Sequence, residues 1–300
     1  MTATNITLGF AGLGAIGEPL CRELAEHSGR PVVAHDLRVE PLGRLGGHGV
    51  EGVASLDKLI ARADIIFLCL PNDGALRAVI EGPGGFIERG RAGQIAIDLA
   101  PSPIKLMTEF GGMLADRQID FLDAPVTRPS IRGPAGAGDI AVGGDPLAYD
   151  QARPYLDCLG ANVSHCGGIG AGQTVRLLNA MVLLEMAAAL AGALSIGRRA
   201  GLSREALQAG LAKGAADGFT LRSHAMGILL GEDYGEEPYS GQQALEDLGQ
   251  ALELARETGI EAHAGEAAER LLRTAAETGP KNREADNYFA ALLAAIERGD

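Results

Sequence analysis

Residues 6–17 read ITLGFAGLGAIG, an apolar run that breaks into glycines, and a helical spacing of apolar residues follows from Ile16 to His27. This pattern predicts a strand over 6–11, a turn, and then a helix. Gly12, Gly14 and Gly17 stand where three separate demands meet. The first permits the tight turn, the second lets the backbone approach a pyrophosphate, and the third lets the helix lie close to the sheet. Leu13, Ala15 and Ile16 supply backbone to the same cradle, where the amides of a helix start attract phosphate. Asp36 closes the next apolar run, 31–35, and lies 19 residues after Gly17. A carboxylate there accepts both hydroxyls of an adenosine ribose and repels a 2′-phosphate. No arginine replaces it, the nearest being Arg38 and Arg44, so NAD is expected in preference to NADP.

Working outward, the runs 64–70 (DIIFLCL) and 95–99 (IAIDL) repeat the opening event, with 119–122 and 139–143 as further strands and 161–165 as a candidate edge. Continuous apolar runs indicate strands covered on both faces, as in a parallel sheet. Leu70, Pro71 and Asn72 end one run on the side of the glycine turn, where they are expected beside the ribose or nicotinamide. Asp98 ends the next run and either binds ribose or caps the segment that follows. From Ala171 to about Gly201 the pattern predicts one long helix. Helical spacing recurs over 203–212, 217–230, 241–258, 262–278 and 286–298, with Ser203 and Ser240 as caps. The expected fold is therefore an α/β Rossmann-type N-terminal domain, 1–165, followed by an all-α C-terminal domain, 166–300. The long helix is apolar nearly all round and needs partners on every side, which favours a dimer.

Composition bounds the partners. The 300 residues are 46% hydrophobic and 22% charged, which is globular composition. Tryptophan is absent, with 5 Tyr and 7 Phe, so the core is expected to be aliphatic. The formal net charge of -13 argues against a nucleic-acid partner. Cys21, Cys69, Cys158 and Cys166 show no paired metal spacing, so no metal is expected, and they read as buried thiols in a reducing compartment. The start, MTATNITLGF, has no basic region before an apolar stretch, and the run 181–196 carries Glu185 and falls short of a span. No signal peptide, no membrane segment and a cytoplasmic location are expected.

Two loops carry the chemistry. DAPVTRPSIRG, 123–133, leaves a predicted strand at the cofactor side, and GIGAGQTVRLLNA, 168–180, enters the long helix. Arg176 and Asn179 share a helix face. With GFAGLGAIGEPL and LEDLGQALELARETGI, these segments resemble, over nearly the whole length, the β-hydroxyacid dehydrogenase family of 3-hydroxyisobutyrate, tartronate semialdehyde and 6-phosphogluconate dehydrogenases. The resemblance implies a dimer or tetramer and a catalytic lysine at position 176, which here is Arg176. The family asparagine four residues later falls on Ala180, while Asn179 is retained. The lysine before Asp247 is replaced by Glu246, and the loop's Ser-Gly-Gly reads Thr127-Arg128-Pro129.

Arginine stays charged in proteins and is a poor proton shuttle. Arg176 is therefore expected to polarise the substrate oxygen while water or another residue supplies the proton, with His165, His224 and Tyr239 as the candidates by residue type. The expected activity is NAD-dependent hydride transfer to or from a small polar or anionic 3-hydroxy acid or the matching aldehyde. Arg176 and Asn179 are the expected catalytic pair, and Thr127, Arg128 and Asp247 are expected to hold the substrate. Reduction of another C=O or C=N bond on the same architecture is one alternative, and dinucleotide binding without catalysis another.

Overall fold

Leu8, Phe10 and Ala11 of the opening run are all buried, because the strand they form is covered on both faces. A computed structural model describes residues 6–126, 138–218, 220–222 and 240–278, with 289, 292, 293, 295 and 296. The chain divides into two compact units, Met1–Arg176 and Leu177–Asp300.

The first unit holds one eight-stranded sheet. Its strands are β1 (Leu8–Ala11), β2 (Val32–His35), β3 (Val50–Gly52), β4 (Ile65–Leu68), β5 (Ile95–Asp98), β6 (Asp120–Asp123), β7 (Gly138–Gly143) and β8 (Gly160–Gly167). Their order is β3-β2-β1-β4-β5-β6-β7-β8. The helices are α1 (Gly17–His27), α2 (Val39–Leu45), α3 (Leu56–Arg62), α4 (Asp73–Glu81), α5 (Phe86–Arg89), α6 (Ile104–Ala115) and α7 (Pro146–Leu156). Strand alternation sorts the core. Leu8, Phe10, Ile65, Phe67, Ile95 and Ile97 pack on one face with Leu20 and Leu24 of α1 and Tyr149 and Ala152 of α7. Ala11, Ile66, Leu68 and Ala96 face the other way, toward Leu59 of α3, Ile80 of α4 and Phe110 of α6. Phe10 and Phe67 stack at 6.1 Å across neighbouring strands. Phe86, Phe110, Phe121, Tyr149 and Tyr155 are buried as well, so the aliphatic core expected from composition is interleaved with most of the few rings the chain has.

Strands β1 to β6 run parallel, and β7 turns against β6. The reversal follows from the connection. A parallel neighbour needs a crossover, usually a helix, whereas here the chain leaves β6 extended and Val126 bridges Ile140 of β7 in antiparallel sense. β7 and β8 are parallel, joined through α7. The short β3 was not legible in the sequence, since VEG has a single apolar residue.

The second unit takes in most of α8 (Ala171–Arg199), then α9 (Arg204–Leu211), α10 (Gly241–Glu257) and α11 (His263–Thr278). Leu184, Ala187, Leu190, Ala191 and Leu194 of α8 are buried in its core with Leu248 and Leu252 of α10 and Leu272 of α11. Ser203 caps α9 by accepting from the Ala206 amide, and Ser240 and Gln243 form a reciprocal capping box on α10. The helices read over 217–230 and 286–298 fall largely outside the described residues.

The glycine turn gives a direct check. A Cβ on Gly17 would overlap the Gly12 carbonyl oxygen, whereas one on Gly14 meets no atom within 4 Å. Urea denaturation should show Gly17→Ala destabilised by at least about 2 kcal/mol. Gly14→Ala should stay within roughly 0.5 kcal/mol of the parent. Equal losses would contradict this account of the turn.

Candidate active site

The parallel register places the carboxyl ends of the central strands side by side, pairing Ala11 with Leu68, Leu68 with Asp98 and Asp98 with Asp123. The glycine turn, residues 69–72, residues 99–102 and the chain beyond Asp123 therefore share one edge. The order reverses between β1 and β4, and sheets of this kind bind ligands at such a switch point.

The turn has the form a dinucleotide needs. Gly12 has φ +93, a conformation that disfavours side chains, and a Cβ there would run into the Cys69 carbonyl. Gly14 fronts open space, and α1 begins directly behind it. A cavity of about 440 Å³ is lined by Leu13, Gly14, Ala15, Glu18, Pro19, Arg22, Arg38, Arg44, Leu45 and His48. Ile16 is the residue before α1 and is exposed. Asp36 accepts from the Leu13 amide at 2.6 Å, which ties the acid to the turn. Burial pushes the Asp36 carboxyl up, but bonds from the Arg38 side chain and amide and the Leu13 amide outweigh it and hold it below the usual range. These residues fit a dinucleotide: room at the second glycine, a backbone cradle, and an acid at the end of β2.

Leu70 is half-buried, Pro71 and Asn72 are exposed, and the Asn72 oxygen caps α4 through the Ala75 amide. Asp98 is fully buried and spends its oxygens on the Ala100 amide and the Ser102 hydroxyl. Those bonds are ones a cap of the following segment would make. Burial raises its carboxyl to about 7, against the opposing bond from Ser102.

Asp123 is also fully buried. Its oxygens accept the Gly170 amide at 2.6 Å and the Gln173 amide at 2.7 Å. Burial raises Asp123 to about 6, opposed by those backbone bonds. Gln173, buried as well, donates its side-chain amide to the Ala100 carbonyl at 2.7 Å and accepts from Arg176 Nε at 2.9 Å. Arg176, 7% exposed, is thus fixed to the ends of β5 and β6. The sequence reading missed Gln173. The available signal was its three-residue spacing from Arg176 in a loop already singled out.

Asn179, a turn further along α8, is exposed. In the second unit Asp247 is half-buried on α10, and Glu246 is exposed and accepts from Gln242. His165 bonds the Gly144 carbonyl through Nε2 and lies against the Tyr149 ring at the β8 edge. Thr127, Arg128, His224 and Tyr239 lie outside the described residues.

Comparison with known proteins agrees with this geometry. Residues 7–168 match the family described as the NAD binding domain of 6-phosphogluconate dehydrogenase. Residues 170–292 match the NAD-binding domain of NADP-dependent 3-hydroxyisobutyrate dehydrogenase. The chain belongs to the 3-hydroxyisobutyrate and 6-phosphogluconate dehydrogenase-like family. It is 30% identical to 2-(hydroxymethyl)glutarate dehydrogenase of Eubacterium barkeri over 85% of this chain and 84% of that one. It is also 30% identical to 2-hydroxy-3-oxopropionate reductase of Escherichia coli, over 68% of this chain and 71% of that one. The solved Mycobacterium tuberculosis 3-hydroxyisobutyrate dehydrogenase with L-serine superposes with a TM-score of 0.85 at 24% identity, covering 98% of this chain and 99% of that one. As a member of this family, the protein is an NAD-binding oxidoreductase.

The buried carboxyls set a pH dependence. Asp98 and Asp123 hold protons in the folded state that the unfolded chain releases from about pH 4 upward. Their contribution to stability is therefore full below that range and declines as pH rises through about 6 and 7. Asn at position 98 keeps both bonds, donating to Ser102 in place of accepting. Unfolding free energies measured by denaturant across this range should fall less steeply with pH in Asp98→Asn than in the parent, and parallel profiles would refute the assignment.

Proposed function

We propose that the protein interconverts a small anionic 3-hydroxy acid and the matching aldehyde with NAD as its redox partner. The observation that carries this reading is the buried Arg176, tied through Gln173 to the strand ends beside the glycine turn. Gly12 to Ile16 would cradle the pyrophosphate, and Asp36 would take the adenosine ribose. When bound, the nicotinamide supplies the hydride acceptor or donor. Arg176 donates to the reacting oxygen and stabilises the negative charge that grows there as the hydroxyl proton leaves for solvent, or arrives from it. It does not carry that proton, because a guanidinium stays charged. Asn179 assists at the same oxygen, and Thr127, Arg128 and Asp247 hold the acid group. Two relatives support the substrate class: 2-(hydroxymethyl)glutarate and 2-hydroxy-3-oxopropionate both name an acid with oxygen on the carbon β to a carboxylate.

Absorbance of reduced nicotinamide, followed over a panel of 3-hydroxy acids, aldehydes and cyclic imines, tests this reading. Arg176→Ala should lower kcat/KM by about 100-fold or more on the preferred acid. Equal activity in parent and variant would remove Arg176 from the chemistry, and turnover confined to imines would overturn the substrate class.

A homodimer, or a tetramer built from it, fits the same chain. Val175, Leu178, Val182 and Met186 recur at helical spacing along α8 and are all exposed, between 41% and 48%. A second copy would cover this stripe. Val182→Asp should shift the sedimentation coefficient toward that of a monomer, and an unshifted dimer would place the interface elsewhere. The four cysteines are free; burial pushes Cys21 and Cys69 up to about 12, in keeping with inert thiols there, whereas Cys166, expected to be buried, is exposed because it lies on the edge strand β8.

A further inference from the structure

Asp36 is the acid expected to hold the ribose, yet its acceptor capacity is already spent. One oxygen, Oδ2, accepts from the Leu13 amide at 2.6 Å and from Arg38 Nη2 at 3.3 Å. The other, Oδ1, accepts from the Arg38 amide at 2.8 Å and from Arg38 Nε at 3.0 Å. A carboxylate offers about four lone-pair sites, and Arg38 fills three of those four. A ribose diol can bind Asp36 only if the Arg38 side chain first moves away. That motion is open to Arg38, whose side chain is 57% exposed, while the 10% exposed Asp36 keeps the Leu13 and Arg38 amides as partners.

The same guanidinium carries donors toward the phosphate side. Nη2 also bonds the Leu13 carbonyl at 2.9 Å, so the group spans the mouth of the glycine turn. Among the described residues nothing accepts from Nη1. Arg38 lines the 440 Å³ cavity with Arg22, Arg44 and His48. The acid on that wall, Glu18, is taken up by Arg44 through two bonds of 2.6 Å. The carboxylate that should repel a 2′-phosphate is therefore masked by a cation, and the space beside it holds a further guanidinium, Arg22, with Arg44 paired to Glu18 and His48 to Glu26.

We infer that Arg38 sets the choice of cofactor and that the protein accepts NADP as well as NAD. With NADP, Arg38 stays between Asp36 and the 2′-phosphate, bonding the acid through Nε and the phosphate through Nη1. With NAD, Arg38 swings off and Asp36 takes the diol. The inference rests on the glycine turn being the cofactor's phosphate site.

Fluorescence titration of the full-length protein with NADH and with NADPH, without substrate, reads both affinities directly. The parent should bind the two within about tenfold of each other. Arg38→Ala should weaken NADPH by about tenfold or more, the loss expected for a charge-assisted pair. It should leave NADH unchanged or up to severalfold tighter. Arg38→Gln should act in the same direction, which guards against a folding defect in one variant. Asp36→Ala should weaken NADH more than NADPH. Failure to bind NADPH while NADH binds would overturn the inference and leave the cofactor site standing. So would equal weakening of both cofactors by the Arg38 variants. Failure to bind either would overturn the site as well.

Discussion

The carboxylate of Asp123, buried at the end of β6, accepts the amides of Gly170 and Gln173 and thereby nails the start of α8 to the sheet. A buried acid without partners is expensive, so this contact exists only in one geometry. Everything else on that edge follows from it. Gln173 is carried into reach of the Ala100 carbonyl, and its oxygen then faces Arg176 Nε. The Arg176 backbone and guanidinium become properties of the β5 and β6 ends, which are themselves set by strand pairing. The first compact unit accordingly runs to Arg176, taking in the opening turns of α8 with the sheet.

In the proposed reading, this arrangement changes what Arg176 can do. A lysine acting as acid and base must gain and lose a proton, which a pocket can arrange by shifting its pKa. An arginine cannot, but its planar fork can be held rigidly by a neutral amide and still present donors to an oxygen. The structure invests in that rigidity: a glutamine, itself pinned at its backbone and at its side chain, fixes Nε. The adenosine end uses the opposite strategy. Asp36 is 10% exposed and its partner Arg38 57%, so in the proposed reading the Arg176 end is pre-organised and the adenosine end adaptable through Arg38 alone.

Much of the fold was legible in sequence because local and global signals agree. The runs at 6–11, 31–35, 64–70 and 95–99 are apolar since each strand is covered on both faces, and β1, β4 and β5 are buried at every position. Ser203 and Ser240 cap helices, as their positions before amphipathic segments indicated. β3 escaped notice because it is short and mostly polar on the sheet edge. The reversal at β7 escaped because strand direction depends on the connection and leaves no mark on a strand's own composition. The bonds that Asp98 accepts from Ala100 and Ser102 were likewise not legible, because they depend on how the chain turns after β5.

The sequence by itself determined the class of protein. Gly12 and Gly17 are required by backbone that approaches within one side chain's width, and such positions admit almost nothing but glycine. Asp36 at the end of β2 and the order of the four recognisable segments added the family. Only the tertiary structure decided how the charged residues are used. Whether Arg38 bears on Asp36, and whether Gln173 meets Arg176, depends on distances between side chains that sequence spacing leaves open. Residues distant in the chain, such as Asp123 and Gly170, meet only after the sheet has formed. The physical reason is range: backbone demands are local and written residue by residue, whereas hydrogen bonds between side chains are chosen by the folded surface that brings them together.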